Sequence, residues 1–210
     1  MTFTPIDMAT WPRQQTFYYF TKLAPMSFTL SAKLDISATK AALHARHLRF
    51  FPAYLYVTSK VLTTIPEFRI CRDASGQLGY FDQLNPAYTV IHEDHQISGC
   101  WSDYTADFAT FYARVEADEA QAAQATGPVG KADQPANSFE AGMLPWLHFD
   151  SYTPLPANGL PNFQPVLQAG RYVDGQMPLS ITANHAVADG YHVSELFTRL
   201  QQAFTTPDWL

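Results

Sequence analysis

Charged residues are scarce in this chain of 210 residues. Asp, Glu, Lys and Arg make up 15% of it, whereas about 25% is usual for a soluble globular protein. The 13 basic residues are outnumbered by 19 acidic ones, which gives a net charge of −6, and they form no basic patch or tail. Nucleic-acid binding depends on a positive surface, so the composition argues against that class of partner. A surface poor in charge instead favours contacts with other subunits.

Long apolar runs are also missing. No stretch approaches the roughly 20 apolar residues that a membrane-spanning helix requires, and residues 1–8 lack the basic and apolar regions of a signal peptide. We therefore expect a cytoplasmic protein with no membrane partner. Only Cys71 and Cys100 are present, outside any C-x-x-C pair, which favours buried thiols and gives no sign of a zinc or redox motif. The lack of a glycine-rich phosphate loop argues against a mononucleotide-binding fold.

Core-forming residues, by contrast, are abundant. The chain is 47% hydrophobic and 14% aromatic, which is enough for one domain that spans residues 1–210. Helices and strands mix without strict β-α-β alternation, so we expect an α+β fold with a mostly antiparallel or mixed sheet and helices on one face. The patterns predict helices beginning near residue 37 and at 50–62, 104–123 and 191–204, strands at 68–72, 78–81, 88–92, 145–152, 166–172 and 177–184, and a loop at 126–137.

The most informative stretch is His185-Ala-Val-Ala-Asp189-Gly190. It lies between the predicted strand 177–184 and the predicted helix 191–204, where a strand can deliver a fixed histidine to a cleft. A neutral imidazole held there can take a proton from a hydroxyl or thiol near pH 7. Taken alone, the pattern also fits a hydrogen-bonded histidine at a strand end, followed by an Asp-Gly turn.

A second histidine pattern, His92-Glu-Asp-His95, has the look of a metal cluster. It follows a predicted strand and has no clear third ligand, so the spacing is a weak metal signal. We expect a polar loop at this place and no metal site in the protein.

Several segments, taken in order along the chain, resemble the chloramphenicol acetyltransferase family. They are Trp11-Pro-Arg13-Gln-Gln-Thr-Phe17, Phe51-Pro52, Pro66-Glu-Phe-Arg69, Tyr88-Thr89-Val90, Leu144-Pro-Trp146-Leu-His-Phe149-Asp-Ser-Tyr152 and His185-Ala-Val-Ala-Asp189-Gly190-Tyr-His192-Val193. The resemblance runs almost end to end. It implies a two-layer α/β sandwich that forms a homotrimer with active sites between subunits. It also implies acetyl transfer from acetyl-CoA to a hydroxyl of chloramphenicol, the basis of antibiotic resistance, or of a related small alcohol.

The resemblance implies roles for the residues of the last segment. His185 would be the general base, which takes the proton of the acceptor hydroxyl as its oxygen attacks the thioester. Asp189 would pair with Arg13 and hold the turn that carries His185, because an arginine–carboxylate pair has a specific geometry. The alternative for Arg13 is a solvated residue near the N-terminus.

Other matched positions would contact the two substrates. Trp146 and Tyr172 match aromatic residues of the coenzyme A channel, although both also fit a plain core role. Arg171 stands where a lysine is often found and would meet coenzyme phosphates or only solvent. Phe28 matches a residue of the acceptor pocket, with a core role as the alternative, and Thr89 lies on the strand expected beside that pocket.

This sequence departs from the family pattern at places that bear on the substrates. Gly142 stands where drug-resistance members have a serine that helps to stabilise the oxyanion, and losing one such donor typically costs about 10²–10³ in rate. Phe20 replaces a tyrosine that hydrogen-bonds the drug, and Gln168 replaces a threonine on the coenzyme strand. Asn184 replaces the first histidine of a usual pair. Acyl transfer remains the prediction, with altered oxyanion and acceptor contacts.

Two other functions remain open. The dihydrolipoyl acyltransferase core shares the fold and the H-x-x-x-D-G pattern, but its acceptor is a thiol on a lipoyl arm, and the segment from Trp11 to Phe17 favours the first family. A degenerate member that binds a small molecule without catalysis would explain Gly142 and Phe20. The joint presence of His185, Asp189 and Arg13 argues against that alternative.

Overall fold

The computed structural model describes residues 2–155 and 163–210. Its strands are β1 (Phe3–Pro5), β2 (Ser27–Asp35), β3 (Ile70–Arg72), β4 (Leu78–Phe81), β5 (Asn85–Ile91), β6 (Ile97–Trp101), β7 (Ser138–Leu144), β8 (Val166–Gly170) and β9 (Gln176–Asn184). Its helices are α1 (Gln14–Tyr18), α2 (Ser37–Ala45), α3 (Phe50–Leu62), α4 (Phe108–Ala122) and α5 (Gly190–Thr205). A π-helical segment, Tyr19–Leu23, continues α1, and a 3₁₀ turn covers Pro66–Arg69.

The main sheet has six strands in the order β2-β9-β8-β7-β5-β6. The pairs β2–β9, β8–β9 and β5–β6 are antiparallel, whereas β7 runs parallel to both β5 and β8. A smaller antiparallel sheet has the order β1-β4-β3. The predicted α+β fold with a mixed sheet is therefore confirmed.

The helices form the second layer of the sandwich. Helix α5 packs against β2 and α3, and α4 packs against α3 and β6. The core-facing stripe of α5 is fully buried at the spacing expected for one helix face, through Val193, Leu196, Leu200 and Phe204. Of the helices in the described part of the chain, none combines the length and the apolar character needed to cross a membrane.

The β8–β9 hairpin joins the two strands that the sequence predicts at 166–172 and 177–184. Val173 and Gln176 exchange two backbone hydrogen bonds of 2.9 Å, and the two residues between them, Asp174 and Gly175, have φ angles of 49° and 85°. Positive φ at both positions is the geometry of a tight hairpin turn that matches the twist of its strands. This turn fixes the register of β9, and β9 in turn carries the chain to His185.

The predicted strand over residues 145–152 is wrong. Strand β7 precedes it and ends at Leu144, because Pro145 has no N–H to give to a ladder. The chain then turns, and the N–H of Leu147 donates to the Leu144 carbonyl at 3.3 Å. The alternating apolar residues that suggested a strand include Trp146, which is 62% exposed.

The start of helix α4 also differs from the sequence prediction. Helix α4 begins at Phe108 rather than Tyr104, because the Asp107 carboxylate accepts a hydrogen bond of 2.8 Å from the N–H of Thr110 and so caps the helix there. The predicted loop 126–137 is a loop, and the N–H of Gly99 on β6 donates to the Pro128 carbonyl at 2.8 Å.

Candidate active site

The turn between β9 and α5 holds His185 by backbone hydrogen bonds. The N–H of His185 donates to the Met26 carbonyl at 3.0 Å, which joins the turn to the segment before β2. The side-chain oxygen of Asn184 accepts a hydrogen bond of 2.9 Å from the N–H of Ala186. The backbone carbonyl of Asn184 accepts one from the N–H of Ala188. Asn184, which replaces the first of two family histidines, therefore shapes the turn that presents the imidazole.

Two phenylalanines flank the His185 imidazole. The Phe20 ring stacks on it with centroids 4.1 Å apart and planes 10° apart, and the Phe28 ring lies 5.0 Å away at a tilt of 59°. Phe20 belongs to the π-helical segment Tyr19–Leu23, a type of distortion frequent at functional sites. The flanking rings restrict the imidazole to a narrow range of orientations.

The two nitrogens of this imidazole differ in their surroundings. Nδ1 is shielded from solvent and lies 3.1 Å from Oδ1 of Asp189, without the alignment of a hydrogen bond. The side chain is nevertheless 27% exposed, and no described residue hydrogen-bonds Nε2. Nε2 is therefore the nitrogen that a substrate hydroxyl can reach.

Arg13 binds the same turn through four hydrogen bonds. Its Nη1 and Nη2 donate to the two carboxylate oxygens of Asp189 at 2.7 and 2.6 Å, as a fork that fits a carboxylate. Its Nε donates to the Ala186 carbonyl at 2.9 Å, and Nη2 also donates to the His185 carbonyl at 3.0 Å. The two bonds from Arg13 to the carboxylate hold the pKa of the Asp189 carboxyl below its usual value. Arg13 is thus a partly buried tether, not a solvated residue.

His192 completes the start of α5, a role that the sequence analysis did not assign. Its Nδ1 accepts a hydrogen bond of 2.9 Å from the N–H of Asp189, the residue that caps the helix. Nδ1 therefore has no proton, and the neutral ring carries its proton on Nε2, 3.5 Å from a Glu67 carboxylate oxygen. The spacing D-x-x-H, with a polar side chain three residues after a capping aspartate, is the signal that could have revealed it.

The other candidate residues lie on or just after the strands β5, β7 and β8. This second group consists of Thr89, Gly142, Trp146, Gln168, Arg171 and Tyr172. Gly142 on β7 and Gln168 on β8 are direct neighbours in the parallel ladder, and Thr89 on β5 is exposed. Trp146 is exposed in the turn after β7, which rules out its core alternative. Arg171 lies beside that turn, because its N–H donates to the Leu147 carbonyl at 2.8 Å.

Tyr172 lies between the core and a cationic side chain. It packs partly buried against the core, and Nζ of Lys40 lies 4.9 Å from the centre of its ring. Lys40 was not among the residues expected here from sequence, since its helix and the β8–β9 hairpin are far apart along the chain. Together with the exposed Arg171, it gives this end of the sheet two cations that suit phosphate groups.

The base and this second group are far apart within one protomer. Gln168 lies opposite Ser180 on β9, and His185 follows five residues later, a separation of roughly 16 Å along an extended strand. Tyr172 lies beyond the other end of β8 and is farther still. Within one copy of the chain, the base and the second group therefore lie at separate places on the sheet.

Comparison with known proteins decides the family. The family model described as chloramphenicol acetyltransferase matches residues 1–201. The chain belongs to this family. A chloramphenicol acetyltransferase from Vibrio anguillarum is 32% identical over 96% of this chain and 94% of its own length. One from Streptomyces acrimycini is 31% identical over 98% of this chain and 96% of its own length.

Solved structures of two kinds of acetyltransferase have the same fold. A chloramphenicol acetyltransferase superposes with a TM-score of 0.85 at 24% identity, over 98% of this chain and 100% of its own. The dihydrolipoamide acetyltransferase of Azotobacter vinelandii superposes with a TM-score of 0.68 at 16% identity, over 92% of this chain and 87% of its own. The fold is shared by both kinds of enzyme, whereas the sequence places this chain in the former family. The protein is accordingly an acyltransferase.

Proposed function

We propose that this protein transfers the acetyl group of acetyl-CoA to a hydroxyl of chloramphenicol or of a related small alcohol, with His185 as the general base. The proposal covers residues 1–210 as one domain that acts in the cytoplasm, where acetylation of the drug would give resistance. The observation that supports it most is the geometry of the imidazole. Nδ1 faces Asp189 and is shielded, and only Nε2 is free to accept a substrate proton.

The reaction follows from this arrangement. Nε2 of His185 removes the hydroxyl proton as the alcohol oxygen attacks the thioester carbonyl carbon, which gives a tetrahedral oxyanion. The C–S bond then breaks, and the imidazolium returns the proton to the leaving thiolate. While the ring is positive, the carboxylate of Asp189 at 3.1 Å and the face of Phe20 both stabilise it. No metal takes part in these steps.

The second group of residues suits the other substrate. Trp146 offers an exposed indole, and Arg171 and Lys40 offer cations near the ring of Tyr172. Coenzyme A combines a purine, three phosphates and a long polar arm, so aromatic faces and cations at one end of the sheet match its chemistry. Gln168 and Gly142 lie farther along the sheet, where the thioester end of acetyl-CoA would be bound.

We further propose that the working form is a homotrimer, in which His185 of one subunit faces the second group of its neighbour. The separation of roughly 16 Å along β9 supports this. The base must lie within hydrogen-bond reach of the hydroxyl that attacks the thioester, so base and thioester must be close together. Exposed apolar side chains around the base, such as Tyr18, Tyr19, Leu23 and Met26, offer a surface for a neighbouring subunit.

Mixing two inactive variants is expected to restore activity if the site is shared. His185→Ala lacks the base, and Gly142→Phe fills the space beside Gln168. The two variants are mixed in equal amounts, unfolded and refolded together. About a quarter of the sites in the random trimers then have His185 from one subunit and Gly142 from its neighbour. Transfer activity is then regained in the mixture but in neither variant alone, and native mass spectrometry shows three copies. A monomer mass, or a mixture as inactive as its parts, contradicts the shared site.

Release of coenzyme A tests the function itself. With purified protein, acetyl-CoA and chloramphenicol, a thiol reagent is expected to report free coenzyme A whose appearance depends on the drug. Release without drug dependence, or only with other alcohols, identifies a different acceptor, which the lack of a hydroxyl on Phe20 would explain. If no alcohol supports release although acetyl-CoA binds, the enzymatic proposal is wrong and the protein is a binding member of the family.

A further inference from the structure

Gly142 and Gln168 lie in one row across the face of the main sheet. The register places Gly142 beside Gln168, Gln168 opposite Ser180, and Ser180 opposite Ser31. Aligned residues of neighbouring strands point to the same face, so this row lies on one side of the sheet. It is the face opposite that of the buried Leu167 and Ala141, which point into the helical layer.

The Gln168 side chain lies over the backbone of Gly142. A β-carbon added at Gly142 would overlap Oε1 of Gln168 and would lie 3.0 Å from its Cδ and 3.1 Å from its Nε2. Contacts this short leave no room for any side chain at residue 142 while Gln168 keeps this position. The carboxamide thus fills the space that a side chain on residue 142 would otherwise take.

The carboxamide also retains a free donor. Its Nε2 makes one long hydrogen bond, 3.3 Å to the Ala169 carbonyl, which leaves one N–H without a partner among the described residues. The hydroxyls farther along the row are engaged, because Ser180 and Ser31 bond each other at 2.6 Å and Ser180 accepts from the Tyr152 N–H at 3.0 Å. Gln168 is therefore available to a ligand in a way that these serines are not.

We propose that the Gln168 carboxamide replaces a side chain at residue 142 as the donor to the oxyanion of the tetrahedral intermediate. This inference rests on the proposed acetyl transfer. The negative charge forms on the former thioester oxygen, and an N–H of Nε2 donates to it until the C–S bond breaks. Gly142 and Gln168 then form a coupled pair, in which glycine is needed because the glutamine occupies its side-chain space.

Three sets of variants test this pair by steady-state kinetics with the full chain, acetyl-CoA and the alcohol that the wild type accepts. Gln168→Ala removes the donor, and Gln168→Glu removes it with little change in size. Each is expected to lower kcat by about 10²–10³-fold with a small change in KM for acetyl-CoA. Gly142→Ser alone is expected to lose activity as well, because its side chain displaces the carboxamide. Gly142→Ser combined with Gln168→Thr is expected to recover kcat to within about tenfold of the wild type.

Gln201→Ala is the control for a purely structural glutamine. The Gln201 carboxamide bonds the backbone of Asp35 at 3.0 and 2.9 Å, away from the sheet face, and its loss is expected to lower thermal stability without changing kcat. The inference is overturned, and the proposed function is left standing, in either of two cases. In one, Gln168→Ala and Gln168→Glu keep the wild-type kcat; in the other, the double variant has no higher kcat than Gly142→Ser. A wild type that acetylates no alcohol overturns the proposed function and this inference together.

Discussion

His185→Ala is expected to reduce kcat for acetyl transfer by on the order of 10²–10⁴-fold, while the protein still binds acetyl-CoA. The reason is that Nε2 of this ring is the exposed nitrogen of an imidazole fixed by Phe20, Phe28 and the turn after β9. Without it, the alcohol must attack with its proton still in place or from bulk ionisation, and both are slow near neutral pH. The measurement is drug-dependent coenzyme A release, together with acetyl-CoA binding by calorimetry.

His44→Ala is the matched control for this experiment. His44 is exposed on α2, and the structure gives it no contact with the residues around His185. We expect its activity to equal that of the wild type. If His185→Ala also keeps wild-type activity, another group removes the proton, and the assignment of the base is wrong. Circular dichroism and thermal unfolding show whether either variant has lost its fold.

Sequence patterns located the ends of β9 and α5 well because both elements are regular. The stripe of α5 repeats at helical spacing, and the Asp174–Gly175 turn has the residues that positive φ demands. The same reasoning failed at 145–152, because the prediction followed the alternation of apolar residues and disregarded Pro145. Alternation indicates a strand only where each residue can join a ladder, and a proline at the start cannot donate to one.

The candidate site was predictable as a set of residue types but not as a set of contacts. The resemblance pointed to Arg13, Asp189 and His185, and the structure brings these three together. It did not show that Phe20, which lacks the hydroxyl of a tyrosine, would stack on the imidazole. Nor did it show that Gln168 fills the space at Gly142, because this overlap depends on the register of two strands far apart in sequence.

Arg13→Lys is expected to lower kcat/KM by about 10²-fold, since small displacements of a catalytic group cost that much. A lysine ammonium cannot form a fork with Asp189 and also reach the Ala186 and His185 carbonyls, as the guanidinium does. The turn that presents His185 is then held only by its backbone bonds. Loss of charged hydrogen bonds of about 2 kcal/mol also lowers the midpoint of thermal unfolding by roughly 4–8 °C.

Arg49→Lys separates the effect on the site from the loss of an arginine in general. Arg49 pairs with Glu119 at 2.6 Å and with Glu116 at 3.5 Å, and its side chain is half exposed, so its replacement is expected to change stability little and kcat/KM not at all. Asp189→Asn offers a second approach, because it keeps the shape of the carboxylate but not its charge. If Arg13→Lys and Asp189→Asn both leave kcat/KM at the wild-type value while unfolding at a lower temperature, the Arg13–Asp189 pair stabilises the fold without positioning His185. A reduced kcat/KM in both, with Arg49→Lys unaffected, shows that the tether acts on the base.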